Sequence, residues 1–233
     1  MWNAIARLFL PFCLSLTLFA DTQAGFQYFS ENTYRDTLGP LIVNRAAFNE
    51  RWRGSLTTQF GFSSSDWEFV SFAYQSEFKL FSRLTLSARL SHRIHLPEPF
   101  SRTGLLFGGR AETPSLWGIT GFGTVGWYRR FAQLRNATVI PVFFESSFSE
   151  HDFATEIGLD AELFQRWRLL TKVSTIDETE TYNINNPYVE VSLIYKSDGL
   201  SRWLATARQQ LSLGFGRVDR TVFCLSYQWN MGS

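Results

Sequence analysis

The stretch Leu84-Thr-Leu-Ser-Ala-Arg-Leu-Ser-His-Arg-Ile-His95 alternates between apolar and polar side chains almost without interruption. Successive side chains of a β-strand point to opposite faces of the sheet. One face of this strand is therefore apolar, and the other carries Arg89, Arg93 and His95. Such a strand has lipid or a protein core on one side and a polar environment on the other.

The same alternation recurs along the chain and predicts about ten strands separated by turn residues. They are Trp52–Phe62, a strand that ends near Leu80, Leu84–Leu96, Leu116–Arg129, Ala137–Phe148, Asp152–Leu163, Trp167–Ile176, Tyr188–Lys196, Arg202–Gly216 and Thr221–Trp229. Their number and alternation predict an all-β fold, a transmembrane antiparallel up-and-down β-barrel. A soluble β-sandwich is the alternative fold.

Composition agrees with a barrel in a membrane. Aromatic residues make up 17% of the 233 residues, with 23 Phe, 8 Tyr and 8 Trp, and Trp and Tyr favour the membrane–water boundary. Mean hydropathy is only −0.11, as expected when half of the strand residues face water. The net charge of +1 gives no sign of nucleic-acid binding.

Residues 1–24 have the pattern of a secretory signal peptide. Leu8–Ala20 is an apolar run that is too short to span a bilayer. Ala24 is the favoured cleavage point and Ala20 is a second candidate. Cleavage would remove Cys13 and leave Cys224, so no internal disulfide is expected.

Residues 25–51 form a separate segment before the barrel, which we assign to 52–233. This segment is expected either to cap the periplasmic mouth or to add a hairpin, which would make twelve strands. Pro97–Ser115 and Asp177–Asn186 are predicted to be long loops, whereas several other connections are short. If the last strand ends in the periplasm, most short connections lie there and these long loops lie outside.

From Trp52 to Trp229 the chain resembles small bacterial outer-membrane β-barrel proteins as a class. The resemblance implies a Gram-negative outer membrane and, as partners, its lipid, lipopolysaccharide and the barrel assembly machinery. One departure is the C-terminus, since such barrels usually end on an aromatic residue and here Asn230-Met-Gly-Ser233 follows Trp229.

The alternation also predicts which charged side chains face the lumen. They are Glu77, Lys79, Arg89, Arg93, His95, Glu156, Asp160, Glu162, Lys172, Glu190 and Arg208. The Leu84–Leu96 strand is basic and the Asp152–Leu163 strand is acidic. These charges would form either a constriction with walls of opposite sign, which orients a polar solute, or a salt-bridged plug.

Three functions remain open. The first is a narrow channel or an export or assembly component, with a small polar solute or an envelope protein as partner. The second is a structural or surface-interaction barrel with a closed lumen, which contacts a partner through Pro97–Ser115 and Asp177–Asn186. The third is an outer-membrane hydrolase, for which His95 and His151 are the residues to test. No residues are assigned as catalytic, cofactor-binding or metal-binding, and no cofactor is expected.

Overall fold

The alternating segments form a single antiparallel sheet that closes on itself. The computed structural model describes residues 21–31, 36–64, 67–95, 100–134, 147–175, 187–197, 201–211 and 221–231. Its twelve strands are β1 (Asp21–Glu31), β2 (Thr37–Ala47), β3 (Trp52–Phe62), β4 (Trp67–Phe81), β5 (Leu84–His95), β6 (Phe100–Glu112), β7 (Ile119–Leu134), β8 (Ser147–Phe164), β9 (Trp167–Ser174), β10 (Tyr188–Lys196), β11 (Ser201–Gln210) and β12 (Thr221–Asn230).

Each strand pairs with its neighbours in the sequence, and β1 pairs with β12 to close the barrel. The closing register runs from Gln23 opposite Asn230 to Glu31 opposite Val222. This confirms the up-and-down barrel and excludes the two-sheet sandwich. Among the described residues, no helix has the length and apolarity needed to cross a membrane.

The strand number is twelve, the alternative to the favoured ten. The segment 25–51 is not a cap: most of it lies in β1 and β2, which are part of the barrel wall. Asp21–Ala24 also belongs to β1, so cleavage after Ala20 would keep this strand intact, whereas cleavage after Ala24 would shorten it. The signal peptide itself lies largely outside the described residues and stays a prediction.

One predicted loop is wrong. Most of Pro97–Ser115 is the strand β6, Phe100–Glu112, which pairs with β5 and β7 along its length. Its glycines suggested a turn, but Gly104 has a packing role in the strand. A Cβ atom there would lie 2.9 Å from the hydroxyl oxygen of Tyr128, so the missing side chain makes room for this ring.

The predicted strand Ala137–Phe148 is not a separate strand of the barrel, because β7 pairs directly with β8. Ser147 and Phe148 belong to β8, and the rest of that segment lies outside the described residues.

The predicted strand Leu116–Arg129 begins too early, since β7 begins at Ile119. Trp117 and Gly118 form a two-residue hairpin turn with φ values of 51° and 79°, the backbone that such turns require.

The two ends of the barrel differ in the length of their connections. Two residues join β4 to β5 and two join β8 to β9, and the first and last strand residues, Asp21 and Asn230, lie at the same end. At the opposite end, twelve residues separate β7 from β8. Short turns lie in the periplasm in bacterial barrels, so we assign this short-turn end to the periplasm and the long-loop end to the outside.

Large apolar side chains cover the outer face of the barrel. Val125, Phe153 and Ile157 are 64%, 73% and 68% exposed. A soluble protein rarely leaves so many adjacent apolar residues in water, so this surface suits hydrocarbon. Arg129, near the long-loop end of β7, is a charged side chain exposed on this same face.

An aromatic belt follows the outer face at the short-turn end. The rings of Trp167 and Tyr195 have centroids 4.6 Å apart, and those of Trp203 and Tyr227 are also 4.6 Å apart. Tyr195 lies directly opposite Trp203 across β10 and β11, and Trp229 extends the row. Aromatic girdles of this kind mark the membrane boundary of outer-membrane barrels.

An inward glycine on β8 makes room for a large ring. A Cβ atom on Gly158 would lie 2.5 Å from Cζ of Phe122 and 2.4 Å from the carbonyl oxygen of Thr171. We expect Gly158→Ala to lower the free energy of unfolding by about 1–3 kcal/mol, because the ring and backbone must shift. Urea unfolding in detergent, followed by tryptophan fluorescence, measures the change.

Gly109→Ala is the matched control for this prediction. A Cβ atom at Gly109 would meet Leu86 at an ordinary contact distance of 3.6 Å, so its unfolding midpoint should stay close to that of the parent protein. Equal midpoints for both variants would contradict the packing role of Gly158.

Candidate functional site: the charged interior of the barrel

The registers decide which side chains enter the barrel. Among the side chains that the structure describes, odd-numbered residues of β1–β5 and even-numbered residues of β6–β12 face inward. The exceptions are Trp67, Phe81 and Phe164, which lie beyond register shifts at the ends of β4 and β8 and face outward. By this rule all eleven charged residues expected in the lumen lie on the inner face of their strands. Four of them, Arg89, Arg93, Glu190 and Arg208, line an internal cavity.

This cavity has a volume of about 490 Å³, and its walls come from β1–β5 and β9–β12. Much of the wall consists of uncharged polar side chains. They are Gln27, Ser55, Thr57, Gln59, Ser71, Gln75, Ser192, Thr206 and Gln228. Hydroxyl and amide groups of this kind hydrogen-bond water or the polar groups of a solute.

The charged residues that line the cavity are mostly basic. Arg45, Arg89, Arg93, Arg202 and Arg208 carry positive charge, and Glu190 is the acid among them. Basic residues thus outnumber acidic ones in the lining, but two of the five arginines have acidic partners: Arg45 lies 3.8 Å from Asp21, and Arg208 is hydrogen-bonded to Glu190.

Four side chains of alternating charge cross the inner wall from β8 to β11, and we call them the charge ladder. Lys172 Nζ lies 3.0 Å from Glu156 Oε2 and 3.5 Å from Glu190 Oε1. On its other side Glu190 accepts hydrogen bonds from Arg208, with Nε at 2.9 Å from Oε2. Burial of these charges is tolerated because each one contacts a charge of opposite sign.

Neutral and aromatic groups complete the surroundings of the charge ladder. Ser192 Oγ lies 2.8 Å from Thr206 Oγ1 and donates a longer bond to Glu190. The Arg208 guanidinium lies over the ring of Tyr188, 4.3 Å from its centroid. These contacts hold the ladder side chains in defined positions.

The structure does not show the two opposed walls expected from the sequence. The acidic strand is β8, and its acids are bonded sideways to β9: Glu156 to Lys172, and Asp160 to Arg168. Pairing with the neighbouring strand cancels the charge of this wall locally. The strand β5, which was expected to form the basic wall opposite β8, lies only three strands away from β8 around the barrel.

Basic residues instead continue from β5 onto the next two strands. Arg102 on β6 is the register partner of Arg93, and Arg110 and Arg130 also face inward. Sequence reasoning missed Arg102 and Arg110 because it assigned their strand to a loop. The alternation of Arg102, Gly104 and Leu106 along one face was the sequence signal that could have identified this segment as a strand.

Aromatic rings support two of these inward arginines. The Arg93 guanidinium lies 4.1 Å from the ring centroid of Phe69, and that of Arg110 lies 3.8 Å from the ring of Phe122. Arg110 also contacts Glu112 at 3.0 Å. Stacking on a ring restricts a guanidinium group without neutralising its charge.

The remaining predicted lumen residues lie apart from these contacts. Glu77 accepts a hydrogen bond of 2.7 Å from Gln75, and Lys79 is exposed near the short-turn end. Glu162 is exposed near the same end, whereas His95 is buried near the long-loop end. The structure therefore does not bring all eleven residues into one cluster.

His92 and His95, the two histidines whose side chains the structure describes, do not form a joint site. His92 faces outward and its Nδ1 lies 2.9 Å from Thr103 Oγ1, whereas His95 faces inward from the same strand. His151 belongs to β8, but its side chain is outside the described part. Within the described residues, no three His, Cys, Asp or Glu side chains are grouped to hold a metal ion.

The sequence matches no protein-family model and no curated protein, but solved structures match the fold. The KdgM porin in complex with disordered oligogalacturonate aligns with a TM-score of 0.53 and 10% identity, over 89% of this chain and 98% of that chain. The NanC porin aligns with a TM-score of 0.55 and 7% identity, over 88% and 98%.

An outer-membrane channel from Pseudomonas putida F1 aligns with a TM-score of 0.55 and 12% identity, over 91% of this chain and 96% of that chain. At these identities the likeness concerns the fold. The closed twelve-stranded barrel with its apolar outer face is an outer-membrane β-barrel, as the sequence predicted.

The charge ladder makes a prediction for stability. Lys172→Met leaves Glu156 and Glu190 side by side without the cation between them, so we expect the free energy of unfolding to fall by about 3 kcal/mol. Lys196→Met is the matched control, because Lys196 is exposed at the short-turn end of β10. Urea unfolding of both variants in detergent tests this, and equal loss would contradict the role of the ladder.

Proposed function

We propose that this protein is a narrow outer-membrane channel for small polar solutes. The observation that carries the proposal is the internal cavity of about 490 Å³, whose lining residues are mostly polar or charged. A plug held by salt bridges would instead pack this space with side chains. The cavity therefore favours the channel over a closed structural barrel.

The strand number supports a narrow passage. Twelve strands about 4.8 Å apart and tilted by about 40° enclose a backbone cylinder roughly 24 Å across. Eight strands are nearly filled by their own side chains, and 16–18 strands leave an aqueous pore. A twelve-stranded barrel lies between these cases, so the inward side chains decide how much of the interior stays open.

The similar solved structures support the same proposal. Two of them are porins, and one of these, the KdgM porin, is in complex with disordered oligogalacturonate. A barrel of the same architecture can thus hold an elongated polar molecule. That ligand is a property of KdgM, since 10% identity shows a shared fold and nothing about the residues that line the lumen.

The alternatives have less support in the described residues. A surface-interaction role would use Asp177–Asn186, which lies outside them, and Pro97–Ser115, which is mostly strand. A hydrolase would need a histidine together with a nucleophile and an acid, and His92 and His95 cannot share such a site because they point to opposite faces of β5. We therefore propose that the protein is not an enzyme.

We also propose that its surroundings are outer-membrane lipid and lipopolysaccharide, and that the barrel assembly machinery inserts it. The apolar outer face and the aromatic belt support the first point. The outward row Phe223, Leu225, Tyr227 and Trp229 on the last strand supports the second.

Planar-bilayer recording tests the channel proposal directly. The purified, detergent-refolded protein should give discrete conductance steps, since solvated ions can cross a lumen with polar walls. The control is a preparation whose barrel has been denatured by heat. A bilayer that stays silent with folded protein, verified by its altered migration in unheated gels, would contradict the proposal.

Cys224 offers a second test from within the lumen. It lines the cavity, where it accepts a 2.8 Å hydrogen bond from the Gln27 side chain. Modification by a bulky methanethiosulfonate reagent should reduce the single-channel conductance by about half or more, because the attached group narrows the passage. The variant Cys224→Ser should be insensitive to the reagent, and an equal loss in both would show that the effect lies elsewhere.

A further inference from the structure

We infer that Arg129 binds a phosphate group of lipopolysaccharide in the outer leaflet, and that the apolar surface beside it holds an acyl chain of the same molecule. This inference rests on the proposed lipid surroundings of the barrel, and it names one lipid and one contact site. It does not depend on conduction through the lumen, because the site lies on the outer face.

The first step is the isolated position of Arg129 on the outer face. Among the described side chains of the twelve strands, it is the only exposed Lys, Arg, Asp or Glu that faces outward. Glu68, at the irregular start of β4, is only 3% exposed. A charge on the lipid-facing side of a barrel is destabilising except near the membrane boundary. Its presence there calls for a partner that hydrocarbon cannot supply.

The second step is the level of Arg129 across the membrane, which follows from strand geometry. The strand β7 begins with Ile119 at the short-turn end, and Arg129 lies ten residues further along it. At about 3.4 Å per residue and a tilt of about 40°, this separation is roughly 26 Å along the barrel axis. The apolar band of outer-membrane barrels is about 25 Å tall. Arg129 therefore lies at the outer boundary of the hydrocarbon.

The third step is the direction of the Arg129 side chain. Its guanidinium carbon lies 4.7 Å from the ring centroid of Phe131, which is two residues closer to the long-loop end. Long basic side chains keep their apolar stem along the hydrocarbon and bring the charged end to the headgroup level. Thr103, which contacts His92 on the outer face, is the register partner of Phe131. Polar side chains thus lie beside the guanidinium at this level.

The fourth step is the apolar surface on the membrane side of Arg129. The rings of Phe107 and Trp127 stack with centroids 6.4 Å apart, and Phe153 lies opposite Trp127 on β8. The outer face is low at Gly123, where a Cβ atom would come no closer than 3.9 Å to another strand. Flat rings that lead to a shallow groove fit an extended acyl chain.

The fifth step is the chemistry of the partner. The planar guanidinium group can donate two parallel hydrogen bonds to phosphate oxygens. Lipopolysaccharide carries phosphate groups directly above its acyl chains, so its two parts match the cation and the apolar surface below it. Free phosphate would match only the cation. The phospholipids of the inner leaflet would meet the opposite end of the barrel, which we assign to the periplasm.

The experiment measures the binding of purified lipid A, the phosphorylated anchor of lipopolysaccharide, to the refolded protein in a nonionic detergent. Native mass spectrometry over a titration counts the bound lipid molecules and gives the Kd. We expect Arg129→Gln to raise this Kd by about tenfold or more, because the charge-assisted hydrogen bonds to phosphate are lost. Arg129→Lys should raise it by only about threefold, since the charge remains but the paired donor geometry does not.

The matched control is Arg83→Gln, because Arg83 is also exposed but lies in the turn between β4 and β5 at the short-turn end. Its Kd for lipid A should equal that of the parent protein. Lipid A from which the phosphates have been removed should bind the parent protein as weakly as intact lipid A binds Arg129→Gln. The folding of each variant is verified by its migration in unheated gels.

The outcomes separate this inference from the proposed function. An Arg129→Gln variant with the affinity of the parent protein, or a loss shared equally with Arg83→Gln, would overturn the site. Equal binding of intact and dephosphorylated lipid A would overturn the role of phosphate. Equal affinity for phosphatidylglycerol would overturn the choice of lipopolysaccharide. Failure of the channel is seen separately, since conductance is recorded in phospholipid bilayers that contain no lipid A.

Discussion

Closure of the sheet is the constraint on which the rest of the structure depends. Hydrocarbon offers no hydrogen-bond partner to a backbone N–H or C=O group, so a sheet in a membrane cannot leave an edge. Pairing of β1 with β12 removes the edge here, over nine residue pairs. The same closure divides all side chains into an outer set that contacts lipid and an inner set that shares a confined space. The function then depends on how the inner set fills that space.

The charged side chains of the inner set are accommodated in the confined lumen in two different ways. Acids on β8 and β10 are bonded to bases on the strands beside them, so charge is cancelled along the wall. Arginines on β5–β7 outnumber the acids of those strands, and aromatic rings orient Arg93 and Arg110. The first arrangement stabilises the barrel by placing charges of opposite sign in contact, and the second holds guanidinium groups in fixed orientations on the inner wall.

Local patterns were sufficient for most strands, and their failures have physical causes. Leu84–His95 and Thr221–Trp229 alternate clearly, because one side of each strand faces lipid and the other faces polar groups. The strand β6 was missed, since Gly104, Gly108 and Gly109 resemble turn residues in sequence. In the barrel, inward-facing Gly104 makes room for Tyr128, a reason that becomes visible only when the neighbouring strand is in place. Residues 25–51 were ambiguous because a hairpin and a cap can have the same composition.

The sequence by itself determined the class of fold and, for the strands it identified, which side chains share a face, because both follow from the two-residue period of a β-strand. Only the tertiary structure decided the number of strands, the partners of each charge and the set of side chains that line the cavity. Those properties depend on the register between strands that are distant in sequence. Glu190, for example, gains Lys172 and Arg208 as partners only when β9, β10 and β11 lie side by side.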